Sequence, residues 1–509
     1  MRDMTPASAE TEFAERHAGP LALVTRLCEA LAVERIEYCH WKSNDALDSA
    51  VRGESDLDLL VSHRDAQRFI SVIRGLGFKD ARPPFIKQVP GVFHSYGLDE
   101  SSGKLVHIHA HYQLVLGDDT TKNYRLPIED AYLASVDGVG VLPLPIPAAE
   151  FELAVFVVRM VLKHSTWDAI VSHKGRLSGS EARELDFLTQ RADLDRTRTI
   201  VREHLPFVGD ALWDRCRGCV EGKVTGWPRI YTGQRLERAL APHGRRRPGP
   251  DAMLRLWRRG RIMGRRHVLH RPSARARLES GGALIAVVGG DGAGKSTTVD
   301  ELHRWLSKDL STTIVHLGQP PSSLTSSVVR HLWRSGVRGL MREPSVPAAS
   351  IAASDGSSMT SRASAGLVRH VTIARDRFLT YRRARRYASE GGIVVCDRFP
   401  LPEVELMDGP LAGRILHNPD AGLVVSRLAR LERDYYAKIR DPDILLVLSV
   451  DPDLAAERKR GIDDEDVVRR RCEEIRRQDW DRLPAVVVDA GRSRDDVLAD
   501  IKSAVWSRL

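Results

Sequence analysis

Residues 283–306 read ALIAVVGGDGAGKSTTVDELHRWL. The wholly apolar run up to Val288, half of it β-branched, predicts a buried strand. After Lys295 the spacing changes: Val299, Leu302, Trp305 and Leu306 fall three or four apart, the pattern of an amphipathic helix. Between strand and helix lie Gly289, Gly290, Asp291, Gly292, Ala293, Gly294, Lys295, Ser296 and Thr297, a Gly-x-x-x-x-Gly-Lys-Ser arrangement in a strand–loop–helix setting. Glycines there let backbone N–H groups curl around phosphate oxygens that a side chain would keep away. A helix starting near Lys295 aims its positive end at the anion. The Lys295 ammonium then reaches the β- and γ-phosphates of a nucleotide, and the Ser296 hydroxyl is a ligand for Mg²⁺.

Outward from this loop, residues 281–509 alternate strands with helices, which predicts a parallel α/β sheet. GGIVVCDRF (391–399) is a second apolar strand ending in Asp397-Arg398. A carboxylate at that strand end can hold Mg²⁺ through water or orient an acceptor, and the arginine can grip a phosphate bidentately. DPDILLVLSVDPDLAAERKR (441–460) is a third strand followed by an arginine-rich helix, placing Arg458, Lys459 and Arg460 where a lid could bring positive charge. Such charge matters because phosphoryl transfer is mostly positioning and charge neutralisation. The Ala- and Ser-rich segment Pro344–Gly366 lacks apolar surface to bury and is expected to be a mobile insertion.

These pieces resemble thymidylate kinase and its nucleoside-monophosphate kinase relatives over nearly the whole of 281–509. The matching parts are GGDGAGKST with its internal Asp291, DRF in place of the family's DRY, the PD…L.VDP…A..R strand–helix and the VDAGRS turn. The resemblance implies that Asp291 contacts the acceptor's sugar, that Arg398 and Arg377 contact its phosphate, and that Arg458 or Arg460 completes the transition-state charge. A solvated face is the competing reading for Arg377 and the lid arginines. It also implies ATP and Mg²⁺ as cofactors, and a homodimer. Two departures fall where the family reads its acceptor. VHLGQPPSSL (315–324) stands in place of the Arg-Glu-Pro-Gly-Gly-Thr stretch, and PLPEVELMDGP (400–410) in place of the segment after DRY. The resemblance therefore carries kinase chemistry but not a thymine acceptor.

In the N-terminal half, YCHWKSNDALDSAVRGESDLDLLV (38–61) sets Asp56 and Asp58 two apart on a predicted strand, so both carboxylates face one side and can share a divalent metal. With the helix AQRFISVIRGLGF (66–78) and LVHIHAHY (105–112), this resembles the polymerase-β-like nucleotidyltransferases, particularly the minimal bacterial ones. Lys42-Ser43 stands at their short turn, and His107 where their third acid sits. Asp56 and Asp58 would then be catalytic. Two outcomes are open: Asp56, Asp58 and His107, with His109 and His111, form a mixed carboxylate–imidazole metal site, or the histidines bond locally and transfer activity is lost.

At 509 residues the chain exceeds one hydrophobic core. The expected fold class is α/β: a parallel-sheet P-loop kinase domain (281–509), a basic linker with one or two helices (211–280), an α+β nucleotidyltransferase-like domain (21–210) and a disordered leader (1–20). No apolar run is long enough to span a bilayer, and the first residues lack a signal peptide's apolar region. Six sparse cysteines fit a reducing cytoplasm, and Cys216 and Cys219 lack the second ligand pair a zinc site needs. The net charge is +9, and between Arg245 and Arg277 twelve arginines face one acid, Asp251. That block, with Met253, Leu254, Leu256, Trp257, Ile262 and Met263, reads either as a basic amphipathic helix for an anionic inner-membrane surface or nucleic acid, or as a helix packed between domains. Three functions are open: phosphoryl transfer from ATP to a nucleoside monophosphate or related small molecule; nucleotidyl transfer with a regulatory nucleotide-binding domain; and a non-catalytic ATP-sensing module at a membrane surface.

Overall fold

The strand Leu284–Gly289 is buried along its whole length, at the centre of five parallel strands. A strand covered on both faces must be apolar throughout rather than alternating. The computed structural model describes residues 19–89, 91–136, 143–165, 176–264, 275–318, 359–401, 423–483 and 485–509, and divides into two units, Met1–Ala274 and Arg275–Leu509.

In the first unit the longer elements are α1 (Ala22–Val33), β1 (Tyr38–His40), β2 (Leu57–Val61), α2 (Ala66–Gly75), β3 (Lys79–Arg82), β4 (Val92–Asp99) and β5 (Lys104–His111). Within the unit the strands lie in the order β1-β2-β5-β4-β3, with β2 and β5 parallel and the other pairs antiparallel. Strand alternation sends Leu57, Leu59 and Val61 of β2, and Val106, Ile108 and Ala110 of β5, into one core with Leu27 and Leu31 of α1 and Phe69 and Ile73 of α2. The opposite face of β2 and β5 therefore carries Asp58, His107, His109 and His111.

Besides a short two-stranded sheet of Val115–Leu116 with Tyr124–Arg125, the rest of this unit is mainly helical: α3 (Ala149–His164), α4 (Gly179–Arg191), α5 (Leu194–His204), α6 (Asp210–Val220), α7 (Gly226–Ala239) and α8 (Pro248–Met263). Residues 211–280, expected as a basic linker with one or two helices, hold most of α6 and all of α7 and α8; α6, α7 and the residue after it place Leu212, Trp213, Cys216, Cys219, Val220, Leu236 and Leu240 in the core around α3. Their apolar residues recur at helical spacing, but the surrounding Arg, Gly and Pro obscured it. Cys216 and Cys219 are free thiols in that core. The basic helix α8 holds to its own unit through buried polar groups: Asp251 accepts from the Thr121 hydroxyl at 3.2 Å, and Arg259 pairs with Asp118. Met253, Leu256, Trp257 and Met263 are exposed.

The second unit contains β6 (Leu284–Gly289), α9 (Lys295–Leu306), β7 (Thr312–His316), α10 (Met359–Ser389), β8 (Ile393–Asp397), α11 (Leu423–Tyr436), β9 (Ile444–Ser449), α12 (Pro452–Arg458), α13 (Glu465–Arg477), β10 (Ala485–Asp489) and α14 (Arg494–Arg508). The sheet order is β7-β8-β6-β9-β10, every pair parallel. Of the expected mobile insertion 344–366, residues 344–358 lie outside the described residues, while 359–366 open α10. Among the described residues no helix is long and apolar enough to cross a membrane.

Candidate phosphate site and a carboxylate–imidazole cluster

The loop between β6 and α9 has the shape its glycines permit. Gly292 (φ +81°) and Gly294 (φ +87°) adopt left-handed conformations that other residues take only with strain. Gly290 has no room for a side chain: a Cβ there would lie 2.3 Å from the Cys472 Sγ and 3.0 Å from its Cα. Gly294 caps α9, so the first-turn N–H groups of Lys295, Ser296 and Thr297 belong to no helical hydrogen bond. Ser296 and Thr297 are exposed there, and Ala293 is buried beneath.

Lys295 is buried, and its ammonium donates to the Gly289 carbonyl at 3.0 Å and the Gly290 carbonyl at 2.8 Å. Its third N–H faces the Asp291 Oδ1, 3.6 Å away, so a phosphate oxygen at the loop would share the ammonium with that carboxylate. Burial holds Lys295 below the usual ammonium value; Arg398 adds to the push, while Asp291 and Asp397 oppose it. Burial would raise Asp291, yet a hydrogen bond from Arg471 at 2.5 Å and the charges of Lys295 and Arg398 bring it below the ordinary carboxylate range. Asp397 ends β8, as the sequence led one to expect. Its Oδ2 lies 3.2 Å from the His316 Nδ1, whereas its Oδ1 is buried with no hydrogen-bond partner. Arg398 follows in a left-handed conformation, exposed.

The expected lid residues separate. Arg458 at the end of α12 reaches the loop, with its Nη1 3.4 Å from the Gly292 carbonyl and 3.2 Å from that of Ala490. Arg460 is exposed on the turn beyond. Arg377 on α10 is buried and donates to the Leu317 and Gly318 carbonyls, each at 2.7 Å, and to the Tyr436 hydroxyl. It thus lies just past the C-terminal end of β7. Most of the two departing segments, 319–324 and 402–410, lies outside the described residues. Sequence reasoning missed Arg471 and Cys472, which α13 presses against the loop. Val468, Cys472 and Ile475 are the buried stripe of that helix, and this spacing was the available signal.

In the first unit, β2 and β5 pair with Asp58 opposite His109, and β5 and β4 with His109 opposite His94. Asp58 sits on β2, and Asp56 two residues earlier, just ahead of the strand. His107 Nδ1 is 2.8 Å from Asp56 Oδ1; His109 Nδ1 is 3.3 Å from Asp58 Oδ1. Lys42 lies 2.9 Å from the same Asp58 oxygen. Burial alone would raise Asp58, but the Lys42 charge and hydrogen bonds from His109 and His111 hold it well below the usual range. Burial depresses His111 to about 4. At the Lys42-Ser43 turn, Ser43 is left-handed (φ +58°) and its N–H donates to Glu184 at 2.9 Å. Glu184 in turn holds the buried Arg159 at 2.6 Å.

No family model matches the chain. It is similar to the uncharacterized ATP-binding protein YghR of Escherichia coli K12, 29% identical over 180 residues, which span 35% of this chain and 68% of that protein. The YghR of E. coli O6:H1 matches equally. Among solved structures, a thymidylate kinase from Candida albicans aligns with 45% of this chain and 94% of its own, at 15% identity and a TM-score of 0.28. The second unit is an α/β fold with a parallel sheet, whose central strand leads through the glycine loop into α9.

Proposed function

We propose that the second unit binds ATP and transfers its γ-phosphoryl group to a small acceptor, most simply a nucleoside monophosphate. The observation that carries this reading is the open glycine loop at the head of α9, with Lys295 beneath it and charges of both signs gathered around it. The ATP-binding name of the YghR relatives points the same way.

The acceptor oxygen forms a bond to the γ-phosphorus as the bond from that phosphorus to the β–γ bridging oxygen breaks, and ADP leaves. Lys295 and the loop N–H groups hold the β- and γ-phosphate oxygens, and Arg458, already at the loop, adds positive charge as negative charge spreads over the transferring group. Arg398 and Arg377 lie at the C-terminal ends of β8 and β7, the edge where ligands of parallel sheets bind, and are assigned to the acceptor's phosphate. Ser296 and Asp397 would hold Mg²⁺, and the buried, unpartnered Asp397 Oδ1 fits a cation's neighbourhood. When bound, Mg²⁺ supplies charge neutralisation at the phosphate oxygens. The test is ADP release from the full chain across a panel of nucleoside monophosphates and sugar derivatives. Acceptor-dependent release that Lys295→Ala abolishes is the expected result; release unchanged by Lys295→Ala sinks the reading.

A second reading concerns the first unit: a nucleotidyltransferase-like domain that no longer transfers nucleotides. It is favoured by Lys42 sitting on Asp58 and by Glu184 occupying the Ser43 N–H, the two places where a metal–triphosphate would bind. Label from the α-phosphate of any nucleoside triphosphate, appearing in a product only with Asp56 and Asp58 intact, would overturn it.

A further inference from the structure

We propose that the first unit holds one divalent ion of the zinc class on His94, His107 and His109, with Asp56 orienting His107. The three histidines come from two strands. His94 on β4 stands opposite His109 on β5, and His107 precedes His109 by two on the same face. One ligand atom from each lies within 4.8 Å of the other two. His94 Nδ1 and His107 Nε2 are 3.2 Å apart. With zinc–nitrogen bonds of about 2.0–2.1 Å, two imidazole nitrogens on one tetrahedral ion are separated by roughly 3.3 Å. The pair already stands at the ion's spacing.

The surroundings are those of a metal ligand set. His107 turns its other ring nitrogen, Nδ1, to Asp56 at 2.8 Å, the carboxylate–histidine arrangement that fixes a ligand's tautomer and strengthens it as a base. Tyr96 stacks flat on the same ring, with centroids 4.1 Å apart and planes 10° from parallel. The rings of His107 and His109 remain partly open to solvent, so an ion can reach them. Donor chemistry selects the ion: imidazole suits zinc, copper, nickel and iron, whereas magnesium prefers carboxylate and water oxygens. Asp58 is taken by Lys42, which leaves the imidazoles as the principal donors. Three protein ligands leave the fourth tetrahedral position for water or a ligand oxygen.

The same 3.2 Å would also fit a proton shared by His94 and His107, so the test must separate metal from proton. Untagged full-length protein, stripped with a chelator and dialysed, is titrated with Zn²⁺ and, separately, Co²⁺. Bound metal is counted by elemental analysis and Co²⁺ coordination followed by visible absorption. The expected result is one equivalent per chain, not displaced by excess Mg²⁺. His94→Gln and His107→Gln should each weaken binding at least about tenfold, and Asp56→Asn about 10–100-fold through ligand orientation. Lys295→Ala should leave it unchanged, which separates this site from the phosphate loop. Histidine ¹⁵N resonances of the unmodified protein should shift on Zn²⁺ addition, a readout independent of whether any variant folds. No stoichiometric binding, binding indifferent to His94→Gln and His107→Gln, or equal competition by Mg²⁺ would each overturn the proposal.

Discussion

The two units carry the same kinds of charged residue at the ends of buried strands, but dispose of them differently. At the glycine loop, the first-turn N–H groups and one Asp397 oxygen have no hydrogen-bond partner among the described residues. In the first unit Asp58 is gripped by Lys42, His109 and His111, and the Ser43 N–H is given to Glu184. A site shaped for an anion keeps donors unmatched until the anion arrives; one whose charges neutralise each other is closed to it, and its imidazoles suit a cation. The largest effect that would break this contrast is at Lys295. Lys295→Ala should lower ADP formation by at least about 10²-fold, the scale of losing one preorganised donor. Asp58→Asn should leave that rate unchanged. A similar loss from both would mean that the two sites act as one.

Next in size is the space around the loop. Gly290→Ala puts a Cβ 2.3 Å from the Cys472 Sγ, so α13 or the loop must move. Overpacking of this kind costs about 1–3 kcal/mol, and the thermal midpoint should fall with it. Stabilisation by added ATP should also disappear. Adding Cys472→Ala removes the sulfur but not the backbone Cα at 3.0 Å, so it should recover part of the midpoint. Full recovery would place the conflict in the side chain alone, and none would show that the strain lies elsewhere.

What was legible in the sequence follows from how local each signal is. The strand–glycine loop–helix could be read because its parts are consecutive: strand, glycines, Lys295 and Ser296 lie within one short stretch. Asp397 was legible for a related reason, since an apolar strand ending in an acid is a local pattern. Arg471 was not. It meets Asp291 across 180 residues of chain, from a helix whose many arginines look alike until Val468, Cys472 and Ile475 reveal its buried side. His94 was missed because β4 brings it to His109 by strand pairing, which no spacing along the chain announces. The region of α6 and α7 was expected to hold one or two helices, but their place in the core was not legible, because arginine and glycine outweighed an apolar stripe that tertiary packing uses.

A subtler difference lies in how each unit answers pH. Glu152 on α3 is buried in the first unit with its Oε1 unpartnered. Burial pushes its carboxyl up to about 8, with Glu184 adding to the rise and Asn44 and Arg159 opposing it. A carboxyl raised on folding contributes stability that is full below its unfolded value and drains away as pH climbs through the folded one. Protection of the α3 amides against hydrogen exchange, corrected for intrinsic rates, should therefore weaken between about pH 4.5 and 8. Glu152→Gln should flatten that slope; an unchanged slope would show that Glu152 stays ionised.

The smallest expected effect has the opposite sign and lies in the second unit. Asp291 is held below its ordinary value against the pull of burial, chiefly by the hydrogen bond from Arg471. A carboxylate lowered on folding contributes stability that is present above the unfolded value and lost as pH falls through the folded one. Arg471→Ala should let the Asp291 value rise, so acid unfolding of this unit, followed by exchange of the α9 amides, should begin at higher pH. At neutral pH the loss should stay under about 1 kcal/mol, because Arg471 is 37% exposed and solvent screens the pair. Asp291→Asn should remove the pH dependence that Arg471→Ala alters, and combining the two should add nothing to it. If the double variant's acid midpoint falls beyond both singles, Arg471 steadies the loop through something other than Asp291, and the backbone contact of Cys472 with Gly290 becomes the place to look.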